Sequence, residues 1–151
     1  MDFSHSDEEL VKQPIGYWSW AASTAVVTYI RAGLQTVGLT QPQWWTLHQV
    51  AESTHGKTRE EVAAVLQGYL GVGDALGPEI DATLERGLLV VDEAQRLQLT
   101  DEGRAVYAQA VEIQVANRET VHEGIPDQDY LTTLKVLQRM IHNTGGEAWH
   151  H

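Results

Sequence analysis

Three basic side chains and one helix cap lie where the sequence favours phosphate binding. Lys57 and Arg59 flank Thr58, which forms a capping-box pattern with Glu61 at the start of a predicted helix. Arg96 follows the turn of a predicted hairpin. Basic side chains neutralise phosphate, and the free N–H groups at a helix N-terminus bind the same anion. These residues are candidate contacts to a nucleic-acid backbone; the alternative is that they are scattered, solvated surface charges.

Acidic residues surround these cations and limit that interpretation. Residues 42–99 contain four basic and nine acidic side chains, a net charge of −5, and the whole chain carries −11. This excludes a generic polyanion binder, whose affinity comes from surplus cations. Asp74 and Glu79 lie near the start of the helix that precedes the hairpin. Carboxylates there can accept hydrogen bonds from cytosine amino groups, so we predict base contacts from both residues.

Aromatic side chains crowd the first two predicted helices. Trp18 and Tyr29 are eleven residues apart, close to three helical turns, so they share a face. Trp44 and Trp45 are adjacent, which predicts one ring in the core and the other in a groove, with His48 beside either. We predict that Trp18, Tyr29, Trp45 and His48 bind a small aromatic ligand, with His48 or a tyrosine hydroxyl as the polar group that orients it. The alternative is that these rings fill the core and the seam between two subunits.

The sequence contains no pattern typical of catalysis or metal binding. The absence of cysteine excludes disulfides, iron–sulfur clusters and thiolate zinc sites. The histidines form neither an i, i+4 pair nor an HExxH motif, and there is neither a phosphate-binding loop nor a nucleophile elbow. We therefore expect no enzyme, no catalytic residue, no cofactor and no metal. A small hydrolase, or a metal site assembled from distant residues, is the remaining alternative.

The elements that must position these residues are mostly helical, and 151 residues match one domain. Residues 1–13 read as an acidic, flexible tail without the apolar run of a signal peptide. No segment approaches the ~20 apolar residues of a membrane span, so we expect a cytoplasmic protein with no membrane partner. Periodicity and caps predict helices over residues 15–37, 43–52, 58–69, 101–123 and 127–141, and a hairpin over residues 88–99. They also predict a fourth helix, before the hairpin, with Pro78 in its first turn and its end at Gly87.

Three helices followed by a hairpin is the order of a winged helix-turn-helix. In that unit the helix before the hairpin can enter a DNA major groove, and the hairpin, or wing, reaches the backbone. The long helices on both sides have little to cover within such a unit, which predicts packing against a second copy. The predicted fold class is mainly α with a small β-hairpin wing. A winged helix-turn-helix at about 42–99 is flanked by dimerisation helices at about 15–38 and 101–145, with a C-terminal tail at 147–151.

The sequence resembles the MarR-type (multiple-antibiotic-resistance regulator) transcription factors. The matching segments are PIGYW (14–18), GLTQPQWWTL (38–47), IDATLERGLL (80–89), LQLTDEGRA (97–105) and LQRMIHNTGG (137–146). The resemblance implies a single MarR-like domain over residues 14–146 and a homodimer that binds double-stranded DNA at a palindromic operator. It further implies a repressor whose DNA affinity is modulated by a small aromatic ligand, held at the junction of the first, second and fifth helices.

The wing departs from the family pattern. It spans residues 92–96 and holds one arginine, whereas family members usually carry several basic residues there. The alternative function is therefore a MarR-fold ligand-binding or protein-interaction module that has lost strong DNA binding.

Overall fold

The computed structural model describes residues 3–68 and 75–148 of the chain. Helices and one antiparallel hairpin make up the regular structure of these residues. In chain order they are α1 (Asp7–Leu10), α2 (Ile15–Gln35), α3 (Gln41–Ala51), α4 (Arg59–Leu66), α5 (Leu76–Glu85), β1 (Leu89–Val91), β2 (Leu97–Leu99), α6 (Asp101–His122) and α7 (Asp127–Asn143). The predicted fold class, mainly α with a small hairpin wing, is confirmed.

Helices α3, α4 and α5 and the hairpin form what we call the winged unit, and they pack around one apolar core. The buried side chains of this core include Leu39, Leu47, Val62, Leu66, Ile80, Leu88 and Leu97. In the hairpin, Leu89 lies opposite Leu99 and Val91 opposite Leu97. The Leu97 N–H also donates to the Lys57 carbonyl at 2.8 Å, outside the two-stranded ladder. The hairpin is thereby attached to the loop before α4.

The long helices α2 and α6 approach each other closely near Gly33. A Cβ at Gly33 would lie 2.8 Å from Asn117 Nδ2 and 2.9 Å from Ile113 Cγ2, so only glycine leaves room there. Helix α7 has no buried residue within the described part of the chain. None of the described helices is both long enough and apolar enough to cross a bilayer.

One local boundary differs from the prediction. Helix α3 begins at Gln41, two residues before the predicted start, because Thr40 and Gln43 form a capping box that the sequence analysis missed. Helix α5 begins at Leu76, so Pro78 lies within its first turn, as predicted. The N-terminal segment predicted to be a flexible tail contains the short helix α1, which starts with a capping box at Ser6.

Candidate DNA-binding face and ligand cavity

The two arginines predicted to contact phosphate each face a carboxylate on another helix. Arg59, the first residue of α4, forms an ion pair with Asp81 of α5. Arg96 of the wing forms an ion pair with Glu61 of α4 at 2.9 Å. The arginine side chains are 41% and 30% exposed, so solvent reaches both. The structure therefore gathers these cations around α4 but sets a negative charge beside each.

The wing is attached to the loop before α4 through Arg96. Its Nε donates to the His55 carbonyl at 3.0 Å, and its Nη2 donates to the Gly56 carbonyl at 2.9 Å. At the other end of the wing turn, Asp92 Oδ1 accepts the backbone N–H groups of Arg96 and Ala94, both at 2.9 Å. The Arg96 N–H is the largest of the causes that lower the pKa of the Asp92 carboxyl below its ordinary value. The short wing is thus held at both ends.

Lys57 and Thr58 are also engaged within the winged unit. Lys57 Nζ donates to Gln49 Oε1 of α3 at 2.5 Å. The predicted capping box is confirmed, since Thr58 Oγ1 accepts the Glu61 N–H at 3.2 Å and the Thr58 N–H donates to Glu61 Oε2 at 2.8 Å. The same Glu61 oxygen accepts from Arg96 Nη2. One carboxylate oxygen therefore joins the start of α4 to the wing.

Of the two carboxylates predicted to contact bases, Glu79 is bonded to α3. Its Oε2 accepts from Gln43 Nε2 at 2.8 Å and from Thr40 Oγ1 at 3.0 Å. Arg86, just past the end of α5, donates to Gln43 Oε1 at 3.2 Å. These bonds fasten α5 to the start of α3, a role that the sequence analysis missed. Asp74 lies outside the described residues.

The four residues predicted to form one ligand pocket do not lie together. Trp18 and Tyr29 are separated by about 16 Å along the axis of α2, since each helical residue rises 1.5 Å. They also line different cavities, which run along two faces of α2 over nearly the same length. Trp44 and Trp45 are both half-buried against the core, and the predicted ligand contact of Trp45 stays a prediction. His48 lies in a third place.

His48 belongs to a stack of rings between α3 and α6. Its ring centroid lies 5.3 Å from that of Trp44 and 6.1 Å from that of Tyr107. His48 Nδ1 and the Tyr107 hydroxyl share a hydrogen bond at 3.0 Å. Burial raises the pKa of the Tyr107 phenol above its ordinary value, and the Glu52 carboxylate adds to the effect. The stack joins the winged unit to α6 and gives His48 a packing role, while its contact with a ligand stays a prediction.

A cavity of about 1080 Å³ lies between α2, α6 and α7. It therefore lies between the first, fifth and last predicted helices, not at the predicted junction of the first, second and fifth. Its lining is mostly apolar and includes Trp18, Val26, Ile30, Asn117, Tyr130 and Leu137. Two basic side chains approach the Tyr130 ring, with the Arg118 guanidinium 5.9 Å and the His122 ring 4.4 Å from its centroid. Trp18 is the predicted ligand residue that the structure brings here.

Asn117 is the most unusual group in this cavity. It is 7% exposed, and its buried Nδ2 finds no hydrogen-bond partner among the described residues. Buried polar groups are almost always paired, so this unpaired donor, which lies against Gly33 of α2, is an exception in the wall of the cavity. The signal that could have revealed it is a polar residue in line with Ala110 and Ile113, where the helical period calls for an apolar one.

No protein-family model matches the chain, and no curated protein matches it. Solved structures do match. The transcriptional repressor CouR has a TM-score of 0.70 at 26% identity, covering 91% of this chain and 98% of that one. CouR from Rhodococcus jostii RHA1 bound to p-coumaroyl-CoA has a TM-score of 0.68 at 25% identity, covering 85% and 92%. The MarR family protein Rv2887 of Mycobacterium tuberculosis, in complex with DNA, has a TM-score of 0.65 at 19% identity, covering 85% and 98%.

The matches extend over most of the chain and over most of each neighbour. The fold is therefore that of the MarR-type winged-helix regulators, and the recognition of this fold from the sequence is confirmed. The two named neighbours are a transcriptional repressor and a MarR family protein bound to DNA, and neither is described as an enzyme. The described residues also include no group of three His, Cys, Asp or Glu side chains suited to a metal ion.

Proposed function

We propose that this protein is a DNA-binding transcriptional regulator, a homodimer that represses from a palindromic operator and responds to a small aromatic ligand. The observation that carries the proposal is the union of two features in one chain. Its winged unit shares a fold with a protein solved on DNA, and the helices flanking that unit enclose a large, mostly apolar cavity. A ligand-responsive regulator needs both features, one to hold the operator and one to sense the ligand.

The proposed DNA contacts come from the start of α4, from α5 and from the wing. Residues 57–59 and Arg96 contact phosphates, and α5 enters the major groove. The ion pairs of Arg59 and Arg96 are exposed, and exposed pairs exchange partners at little cost in stability. Among the acidic residues, Asp74 remains a proposed base contact. Glu79 keeps its bonds to α3, and its place in the proposal is to position α5.

Exposed apolar side chains on α2 and α7 support the homodimer. Trp20 is 65% exposed and Tyr17 56%, while Leu131 and Val136 of α7 are each 43% exposed. Monomeric proteins rarely leave so much large apolar surface in contact with water. A second copy packed on these helices buries it. Two-fold symmetry then places the two α5 helices about one DNA turn apart, ~34 Å, which calls for a palindromic site.

The cavity between α2, α6 and α7 is the proposed site of the ligand. CouR binds p-coumaroyl-CoA, and an aromatic acid or its thioester also suits the lining found here. Trp18 and Tyr130 supply aromatic surface to the lining, and Arg118, which also lines the cavity, supplies a positive charge for a carboxylate. Bound ligand shifts the dimer toward arrangements in which the two winged units no longer fit successive major grooves.

A selection from random DNA duplexes, with the purified protein and a salt titration, tests this function. We expect a palindromic motif with half-sites one turn apart, and a single dimeric species in sedimentation. Arg59→Ala and Arg96→Ala should weaken binding to all sequences about equally, because phosphate contacts carry no sequence information. Failure to recover any motif at low salt with a dimeric protein would contradict the proposal.

The ion pairs themselves favour a second candidate function. Each arginine expected to meet phosphate has a carboxylate beside it, and the winged unit is acidic as a whole. A MarR-fold module that binds a ligand or a protein, and has lost strong DNA binding, accounts for this charge pattern. Its signature is a wild-type protein that binds p-coumaroyl-CoA or a related aromatic thioester but selects no DNA motif.

A further inference from the structure

Asp81 and Glu61 each form an ion pair with an arginine that the proposed function assigns to a DNA phosphate. Asp81 lies on α5, the helix proposed to enter the groove, and its side chain is 54% exposed. Glu61 lies on α4, and its side chain is 48% exposed. Both carboxylates therefore belong to the surface that DNA approaches. Each is the described ion-pair partner of an arginine on a different element.

In each pair the carboxylate competes with a DNA phosphate for the same arginine. An exposed ion pair of this kind is weak and solvent-screened, so a phosphate can displace the carboxylate. The displaced carboxylate then remains near the phosphate and takes up a cation from solution. Fewer cations are released overall when the complex forms, and the affinity depends less steeply on salt than the number of contacts predicts.

We propose that Asp81 and Glu61 set the DNA affinity of this protein by holding Arg59 and Arg96 in exchangeable ion pairs. The inference rests on the proposed DNA-binding function and adds the residues that tune it. Glu61 has a second effect, because the oxygen that accepts from Arg96 also accepts the Thr58 N–H at 2.8 Å. Exchange of the Glu61 carboxylate for a phosphate leaves the cap of α4 in place, and Arg96 keeps its bonds to the His55 and Gly56 carbonyls while its acidic partner changes.

The test compares the affinities of variants for a 30-base-pair duplex of random sequence, in a salt titration. Asp81→Asn removes the charge beside Arg59, and Glu61→Gln removes the charge beside Arg96 while glutamine still serves in the capping box. We expect each variant to bind roughly tenfold more tightly at low salt. The slope of log affinity against log salt should steepen by about 0.9 for each arginine released to a phosphate. Circular dichroism confirms that each variant is folded.

Two controls separate this inference from a general effect of charge. Glu112→Gln removes the same charge from an exposed position on α6, where the described residues supply no ion pair. Its gain should be much smaller than that of Asp81→Asn. In the double variant Arg59→Ala, Asp81→Asn, the gain should disappear, because Asp81 acts through Arg59.

Each outcome decides the inference separately from the proposed function. The inference is overturned if the gain in DNA affinity of Asp81→Asn equals that of Glu112→Gln, or if the gain survives in the double variant. Binding of DNA by the wild type upholds the proposed function in either case. Binding by the variants without binding by the wild type supports the inference and favours the module that has lost strong DNA binding. Absence of binding by every protein at low salt overturns both.

Discussion

Replacement of Asn117 by leucine is the perturbation that most directly tests the cavity between α2, α6 and α7. The side chain is 7% exposed, and its buried Nδ2 has no partner among the described residues. Leucine has a similar shape and no polar atom. Asn117→Leu should therefore stabilise the ligand-free protein, because it removes the unpaired donor. It should also weaken the binding of an aromatic carbonyl compound, because it removes a polar side chain from the lining of the proposed ligand cavity.

The magnitude follows from the cost of an unpaired donor and from the space around it. A buried polar group without a partner costs about 1–3 kcal/mol. The close approach of Gly33, where an added Cβ would lie 2.8 Å from Asn117 Nδ2, leaves little room for a wider side chain. We therefore expect a gain near the lower limit, about 1 kcal/mol, which corresponds to a rise in melting temperature of about 2–4 °C for a chain of this size.

Urea unfolding at a fixed protein concentration measures the change, provided that the m-value stays constant. Gln114→Leu is the matched control. Gln114 lines the same cavity one turn earlier on α6, and its side chain has no buried atom that lacks a hydrogen-bond partner. Titration with p-coumaroyl-CoA, followed by tryptophan fluorescence, measures ligand binding. Loss of more than about 1 kcal/mol of stability in Asn117→Leu would refute the reasoning, because the amide would then have a strong partner in the assembled protein.

Three further predictions concern the winged unit and its junction with α6. Gly56→Ala should lower the stability by roughly 2 kcal/mol or more and displace the wing, because the residue has φ +70 and a Cβ would collide with the Leu97 carbonyl oxygen. Gly124 has φ +72 and open space around it, so Gly124→Ala measures the backbone cost alone in thermal unfolding. Glu79→Ala should lower the free energy of unfolding in urea by about 2 kcal/mol, since two hydrogen bonds to a carboxylate are lost. A changed DNA sequence preference at unchanged stability would show instead that this carboxylate faces the bases. The pKa of Tyr107 is raised in the folded state, so the stability that this phenol contributes is complete below pH ~10 and falls as the pH rises further. Tyr107→Phe should reduce that loss of stability at high pH. A near-UV absorbance titration in which Tyr107 ionises together with the exposed tyrosines would contradict the argument.

Local patterns in the sequence determined the elements of this protein and their order. The capping box of Thr58 and Glu61, the alternation from Arg96 to Leu99 and the helical period of residues 101–123 each depend on residues a few positions apart. These short-range preferences agree with one another along the chain, which is why the winged-helix order could be read before any contact was known. The missed start of α3 has the same local origin, since its cap is a short pattern too.

Only the tertiary structure decided which side chains face one another. Asp81 and Arg59 are twenty-two residues apart, and no local pattern indicates that they form an ion pair. The aromatic residues share helices in the sequence, yet Trp18 and Tyr29 line different cavities on two faces of α2, because the packing of neighbouring helices decides where a cavity forms. Whether the basic side chains can contact DNA phosphates depends on such pairings. A charge count sums the residues, whereas the field at the surface depends on the distance from each cation to its nearest carboxylate.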